Sequence, residues 1–516
     1  MAKVGPLFMY KLRFFFGPAL RSRIGPLAYV GLILLFVPTG FGVGMGIGTS
    51  LKGSSLDHAI DLLSTPLAGI LSVALLYSLG AGVTAHASEF DFFMTARVKP
   101  REYLVSDLLF QFASLFGAGG LAAAVAALGI AVGVGRPLWD AVPLVLLLLA
   151  YAFLLLFTIQ VFVILRVKYP KAHLRAITGI LLAVSLLPAV SLALPSFPLR
   201  FEGVPFPSSA FGTLAADVLL GRPLDLVAAS LAAVYVIGLA AAWLALSNTY
   251  IFHGIRPSLS AGFGQVDMAA RMDQQRRIMS GLGGLTTRVH MRADRGGDTS
   301  LMTRLHLLRI WRDGSILFVG IFALITLISG TVSTGAPGSQ QAPTPYLTTE
   351  IITLLMAVLA LNWSYYEREN LWMVLMGRHA PGAYFRGLMA SFAAIGFGVA
   401  AVLVVLLQIA SPSPNAIQDA ALPLAAPIAA AFASAALLTR LNIKPSAFSA
   451  SMLVILVAVP ITGFMAGLAA QGVVLAARIL LGLGDALQAA FLAVFVVGLT
   501  AAGLWAVSRL GASFHL

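Results

Sequence analysis

Stretches of 18 or more mostly apolar residues, the length that carries a helix across about 30 Å of hydrocarbon, recur about twelve times along this chain. They begin near residues 26, 62, 104, 139, 175, 223, 314, 347, 385, 417, 446 and 485. Backbone N–H and C=O groups in lipid have no water to bond to, and a run of this length satisfies them within itself by forming a helix. The recurrence therefore predicts an all-α polytopic membrane protein with about twelve transmembrane helices. Composition agrees: 59% of the 516 residues are hydrophobic, 10% are charged and the mean hydropathy is +0.94, beyond any ordinary soluble domain. The 50 glycines, with abundant alanine, suit helices that approach closely in lipid.

The lead of about 25 residues before the first apolar stretch carries Lys3, Lys11, Arg13, Arg21 and Arg23. It is too long and too aromatic for a cleaved signal peptide, so that stretch is expected to remain as the first span. The net charge of +13 is explained by its placement. Of the 33 Lys and Arg, only Lys52, Arg136, Arg200, Arg222 and Arg478 fall on one side of the twelve-span arrangement. The remainder fall on the other, which the positive-inside rule makes cytoplasmic. Both termini are then cytoplasmic in a multi-pass protein of the cell membrane. No basic patch interleaved with aromatics points to nucleic acid.

The spans divide into two six-span halves, residues 1–253 and 304–516, joined by a cytoplasmic linker over 254–303 rich in Arg and Gly. Features recur at matching places in the two halves, which predicts pseudo-symmetric repeats. Tyr10–Phe16 and Arg304–Arg312 are basic and apolar and precede the first span of each half, as interfacial elbow helices along the inner leaflet do. Ser208–Leu220 and Gln471–Ala486 lie after the fifth span of each half. The first of these is too short to cross and too apolar for a plain loop, and both are read as outer re-entrant helices.

Chemistry is sparse. None of the seven lysines sits in a GxxxxGK[ST] phosphate cradle, so the chain has no ATPase motif of its own. Cysteine is absent, which removes disulfides, thiolate metal sites and Cys nucleophiles. The eight His lack metal-ligand spacing, so no metal site is expected. No acidic residue falls mid-span; Asp107 is placed at the inner rim and Asp61 and Glu350 on the outer side. An ion-driven carrier is expected to bury such a group.

What remains are two charged inner segments, each after the second span of its half. The first holds Glu89, Asp91, Phe93, Arg97, Lys99, Pro100 and Tyr103; the second holds Glu367, Glu369, Trp372, Arg378, His379, Pro381 and Tyr384. Setting Pro100 against Pro381 places Tyr103 on Tyr384 and Leu104 on Phe385. The first segment resembles the Glu-x-Asp/Glu-x-Leu…(Lys/Ser)-Pro-x-x-Tyr coupling helix in permease subunits of ABC transporters of the second exporter type. The second departs from that pattern, with Trp and Met where small apolar residues are usual.

The resemblance implies a transmembrane subunit of an ATP-driven exporter, with two copies of a separate ABC ATPase docked beneath it. ATP and Mg would then sit on that partner, and no cofactor on this chain. It also implies that the first, second and fifth spans of each half line the path, which makes Tyr77, Ser78, Thr84, Asn362, Trp363 and Tyr365 candidate lining residues, together with Tyr366. The near absence of buried charge suits a small hydrophobic or amphipathic cargo, and Pro188 and Pro460 are candidate bends. An ion-coupled secondary transporter and a non-transporting membrane scaffold or sensor are the alternatives.

Overall fold

The computed structural model describes residues 4–80, 98–115, 120–169, 173–192, 199–249, 297–312, 320, 323, 344–366, 371, 381–410, 413, 415–441, 450–482 and 484–512. Fifteen α-helices and one short 3-10 turn make up the regular structure among these residues, and no strand occurs among them. The chain divides into two compact units. The first holds Met1–Phe15, Phe36–Gln274 and Ile328–Ala342; the second holds Phe16–Leu35, Gln275–Leu327 and Pro343–Leu516.

The first nine helices are α1 (Val4–Arg21), α2 (Ile24–Leu51), α3 (Leu56–Gly80), α4 (Pro100–Leu115), α5 (Leu121–Val134), α6 (Ala141–Lys168), α7 (Leu174–Leu192), α8 (Pro207–Leu220) and α9 (Leu226–Leu246). In the first unit α3 is the central element, buried over 78% of its apolar stretch, and α8, α7 and α6 pack around it. The Tyr151 hydroxyl of α6 donates to the Leu67 carbonyl of α3 at 2.7 Å, and Ser72 of α3 meets Ser185 of α7 at 3.2 Å. Such bonds tie helices together where water is not available to compete.

Close approach between α2 and α5 depends on glycine. A Cβ placed on Gly40, Gly44 or Gly48 would stand 2.7, 2.0 or 2.3 Å from a backbone oxygen of α5. From the other side, a Cβ on Gly129 or Gly133 would stand 2.3 or 2.5 Å from a carbonyl of α2. Spacing of four residues puts these glycines on one face of each helix.

The first expected re-entrant stretch forms α8. This 14-residue helix is buried against α3, α6 and α9, with Gly212 so close to α3 that a Cβ would stand 2.0 Å from Ser64 Oγ. It ends at Gly221, whose left-handed φ of 66° lets the Gly221 and Arg222 N–H groups bond the Val218 and Asp217 carbonyls, and Arg136 Nε donates to the Leu219 carbonyl at 3.0 Å.

The remaining helices are α10 (Asp298–Arg312), α11 (Thr344–Tyr366), α12 (Pro381–Ala410), α13 (Ala416–Arg440), α14 (Ala450–Leu481) and α15 (Asp485–Ala512). In the second unit the Ala-rich α13 is central, buried over 78% of its span, with α11, α12, α14 and α15 against it. Gly463 and Gly467 of α14 face the Ala426 and Leu422 carbonyls of α13, where a Cβ would stand 2.9 and 2.8 Å away. The second expected re-entrant helix is not formed as a separate element. Residues 471–481 continue α14 without a break, because neither Pro460 nor the glycines that follow it interrupt the helix, and the chain turns only at Gly482 with φ 59°.

Seven of the described helices are long and apolar enough to cross a membrane: Leu56–Leu75, Leu138–Lys168, Leu226–Leu246, Pro381–Ile409, Ala416–Arg440, Ser451–Leu481 and Asp485–Ala512. Three shorter apolar helices accompany them, over Leu121–Val134, Ala176–Ala189 and Thr348–Ser364. The chain is an all-helical, multi-pass membrane protein.

Replacing Gly44 by Val forces α2 away from α5 and is expected to cost about 1–3 kcal/mol. The measurement is the thermal unfolding of the detergent-purified chain. Gly42→Val is the matched control, since nothing lies within 4 Å of a Cβ there, and it is expected to leave unfolding unchanged.

Candidate functional site

The described part of the two charged segments is the place where each one enters the following helix. Glu89, Asp91, Phe93, Arg97, Glu367, Glu369, Trp372, Arg378 and His379 lie outside the described residues, as does Thr84. Lys99, Pro100, Tyr103, Pro381 and Tyr384 lie within them.

Lys99 caps α4. Its carbonyl accepts from Tyr103 N at 3.2 Å, and its own N–H donates to Glu102 Oε2 at 3.4 Å, half of a capping box. Pro100 occupies the first helical position, where a missing N–H costs nothing. Pro381 opens α12 in the same way. Both tyrosines three residues on, Tyr103 and Tyr384, are completely buried, as are Leu104 and Phe385 after them.

In the first unit Tyr103 sits under α1. Leu7 and Lys11, four residues apart, are buried on one face of that helix while Met9, Tyr10 and Arg13 stay exposed. Lys11 Nζ donates to Asp107 Oδ1 at 2.6 Å and to the Tyr103 hydroxyl at 3.2 Å, and stands 4.3 Å from the Tyr103 ring centroid.

Asp107 is one helical turn beyond Tyr103 on α4 and has no exposed surface. Its second oxygen accepts from Gln111 Nε2 at 2.8 Å and from Gln160 Nε2 of α6 at 3.2 Å. Gln160 Oε1 in turn accepts from Trp243 Nε1 of α9 at 2.6 Å. One continuous polar network thus joins α1, α4, α6 and α9 within an apolar core that includes Leu7, Leu104, Leu156 and Ile164. Asp107 can stay buried among apolar side chains because Lys11 supplies its countercharge and two amides its remaining partners. Asp61 is also buried; it accepts from Phe201 N at 3.1 Å.

In the second unit Tyr384 sits under α10. The buried stripe of that helix is Met302, His306 and Ile310, again at intervals of four. His306 meets the Tyr384 ring edge-on, with centroids 4.7 Å apart, and Tyr384 also accepts from Trp363 Nε1 of α11 at 3.1 Å. Leu388 of α12, one turn beyond Tyr384, is completely buried. Gly387 lets α10 lie directly on α12: a Cβ there would stand 2.5 Å from Met302 Cβ.

Neither ring nitrogen of His306 has a hydrogen-bond partner of good geometry. Burial, then the nearby Arg309 cation, push its pKa down to about 3, and the Tyr384 backbone alone favours the charged ring. A cavity of about 10 Å³, roughly one water molecule in size, opens beside it against Arg309, Asn362, Trp363 and Leu388.

Of the candidate path residues, Ser78 is buried, with its hydroxyl on the Leu75 carbonyl at 2.6 Å and its own carbonyl 3.4 Å from Arg166 Nη1. Trp363 is buried, and Asn362 is half-buried beside His306. Tyr77 and Tyr365 lie on α3 and α11, with side chains outside the described set. Among the described residues, no group of three or more His, Cys, Asp or Glu is placed to hold a metal ion.

Sequence reasoning named Lys11, Asp107 and His306 but did not join Lys11 to Asp107, Gln160 and Trp243 or place His306 on Tyr384. The signal available for two of them was a basic residue interrupting an apolar i, i+4 stripe, Leu7–Lys11 and Met302–His306–Ile310. A cation on the buried face of an interfacial helix calls for a partner or for neutrality.

Asp107→Asn leaves the Lys11 ammonium buried without its countercharge and is expected to cost about 3–5 kcal/mol. Adding Lys11→Met should recover most of that loss, and thermal unfolding of the two variants checks both. A depressed histidine pKa lets the unfolded chain take up a proton that the folded chain refuses, so stability is intact above pH 6.5 and falls as pH drops toward 3. At pH 5 the His306 contribution to that loss is roughly 2 kcal/mol. His306→Phe is expected to flatten the pH dependence of unfolding between pH 7 and 5 by about that amount.

Comparison of the chain with protein-family models, with curated proteins and with solved structures returns no match, so its functional reading rests on its own residues and geometry.

Proposed function

We propose that this chain is the transmembrane subunit of an ATP-driven exporter, resembling permeases of ABC transporters of the second exporter type. In this reading about twelve spans form two pseudo-symmetric six-helix repeats in the cell membrane, with both termini cytoplasmic. Two copies of a separate ABC ATPase dock on the segments that carry Glu89 and Asp91, and Glu367 and Glu369. ATP and Mg belong to that partner, and the chain itself hydrolyses nothing. Its cargo is a small hydrophobic or amphipathic molecule.

The observation that carries the reading is the way the helix after each charged segment is seated. α4 and α12 both begin with Pro and both bury a Tyr at the fourth position against an amphipathic helix, α1 or α10. A force applied by a partner to such a segment is not absorbed by a loose loop. It reaches a helix held by an ion pair, a cation on a ring and close-packed aromatics. Rigid seats of this kind turn a push at the cytoplasmic surface into movement of the spans, which is what alternating access requires.

An ion-coupled carrier is the second reading, and the burial of Asp107 favours it, since intramembrane carboxylates commonly mark ion pathways. Against it, Asp107 already has Lys11 at 2.6 Å and two amides, so a passing cation must displace a resident one.

The test is purification of the chain from its host membranes with its bound subunits, followed by reconstitution. The expected material contains a P-loop ATPase and moves an apolar dye only with ATP. Charge reversal at Glu89 and Asp91 is expected to abolish ATP-dependent movement while leaving yield and thermal unfolding unchanged. Movement driven by a proton or sodium gradient without ATP decides for the carrier.

A further inference from the structure

Within the second unit, α12, α13 and α15 enclose a groove of about 720 Å³, within the size range of small-molecule sites. Its walls are Val405 and Ile409 of α12, Ile417 and Leu424 of α13, and Leu492 and Val497 of α15, with small alanines between them. Gln408 is the one polar residue of the lining, and its Oε1 is engaged by Ser413 N at 3.1 Å, in the turn beyond the groove. The groove is open along one side, where Val405, Ile409 and Val497 are 56%, 73% and 67% exposed. In a membrane protein such a side faces acyl chains.

One end of the groove is different. Ala416 and Ile417 line the mouth at the start of α13, and Asn415, the residue before them, accepts a hydrogen bond from the Arg478 guanidinium of α14. Arg478 is exposed, and a guanidinium has five N–H donors, of which this bond uses one. Asp419 is the nearby carboxylate on α13, and it accepts from Ser413 Oγ at 2.6 Å. Through Asn415, the neighbour of the lining residue Ala416, an exposed cation with donors to spare is thus held near this end of the apolar groove.

We infer that this groove holds a hydrocarbon chain of an anionic membrane phospholipid whose phosphate sits on Arg478. The shape and the charge point to the same occupant: the groove is apolar along its length apart from Gln408, whose amide oxygen is already engaged, and a phosphate-matching fork stands near one end. Three helices share the site, so the lipid chain fills a space that side chains leave open, and the site is independent of any transport activity.

The experiment uses the full chain in nanodiscs of mixed phosphatidylglycerol and phosphatidylcholine, each lipid supplied in turn with a photoactivatable acyl chain, and maps the adducts by peptide. Adducts from phosphatidylglycerol are expected to concentrate on residues 397–409 and 489–497. Ala420→Trp, or Ala493→Trp from the opposite wall, fills the groove and is expected to reduce them about tenfold while adducts on the exposed helix α9 persist. Arg478→Gln should bring phosphatidylglycerol labelling down to the phosphatidylcholine level. Adducts spread evenly over α9 and α15, or indifferent to both tryptophans, overturn the site. Equal labelling by the two lipids in the unaltered chain overturns the anionic headgroup, and chain-to-chain crosslinks in place of lipid adducts assign the groove to a second copy of the protein.

Discussion

Lys11 and Asp107 are oppositely charged and almost wholly shielded from water, and the arrangement of the first unit around them follows from the cost of keeping them there. Taking either charge alone out of water costs several kcal/mol, and their attraction offsets this only when the remaining donors and acceptors are also satisfied. Here they are. The carboxylate accepts from Lys11, Gln111 and Gln160, and Gln160 is oriented by Trp243. Each partner comes with a helix attached, so meeting the electrostatic demand fixes α1, α4, α6 and α9 in one register. Apolar contacts alone do not do this in lipid, where a leucine is as comfortable against an acyl chain as against another leucine.

The second unit reaches a comparable seat by the opposite route. At the buried face of α10 stands His306, which can shed its charge, and one turn past Tyr384 stands Leu388, which has none to offer. Burial of a neutral imidazole costs far less than burial of an ammonium, so no carboxylate is needed. What holds α10 to α12 is shape: the edge-on ring pair of His306 and Tyr384, the indole N–H of Trp363 on the phenol, and the space that Gly387 leaves for Met302. An ion pair and an aromatic cluster differ in how they respond to pH and salt, so two segments with similar sequence layouts rest on seats with different physical sensitivities.

The sequence was legible where the physics is periodic and local. Length and apolarity marked the helices, proline marked the starts of α4 and α12, and a basic amphipathic run marked α1 and α10. It was misleading where continuity depends on what does not happen. Pro460 and the glycines of α14 look like breaks, yet the helix runs through them to Leu481, because small residues in lipid also serve close contact with α13. The polar network was illegible for a different reason. Lys11 and Asp107 are 96 residues apart and Gln160 and Trp243 are 83 apart, so no local pattern announces either pair. Each residue taken alone reads as a flank of a span.

The same physics inverts the usual relation between apolarity and depth. The two most buried spans, α3 and α13, carry Asp61, Ser64, Thr65 and Ser72, or prolines and a run of alanines, while the two least buried, α9 and α15, carry long Leu and Val faces. In water, burial selects large apolar residues because exposure is what costs. In a bilayer the exterior is itself apolar, and the interior selects side chains that bond across helices or are small enough to let backbones meet. Gly44 beside the Ala126 carbonyl and Gly212 beside Ser64 are examples of that selection. It follows that polar residues of α3 and alanines of α13 mark the inside of each unit, while Leu and Val of α9 and α15 mark an outward face. Large aromatics such as Tyr103, Trp363, Tyr384 and Phe385 stay inside because each has a specific polar or ring partner there.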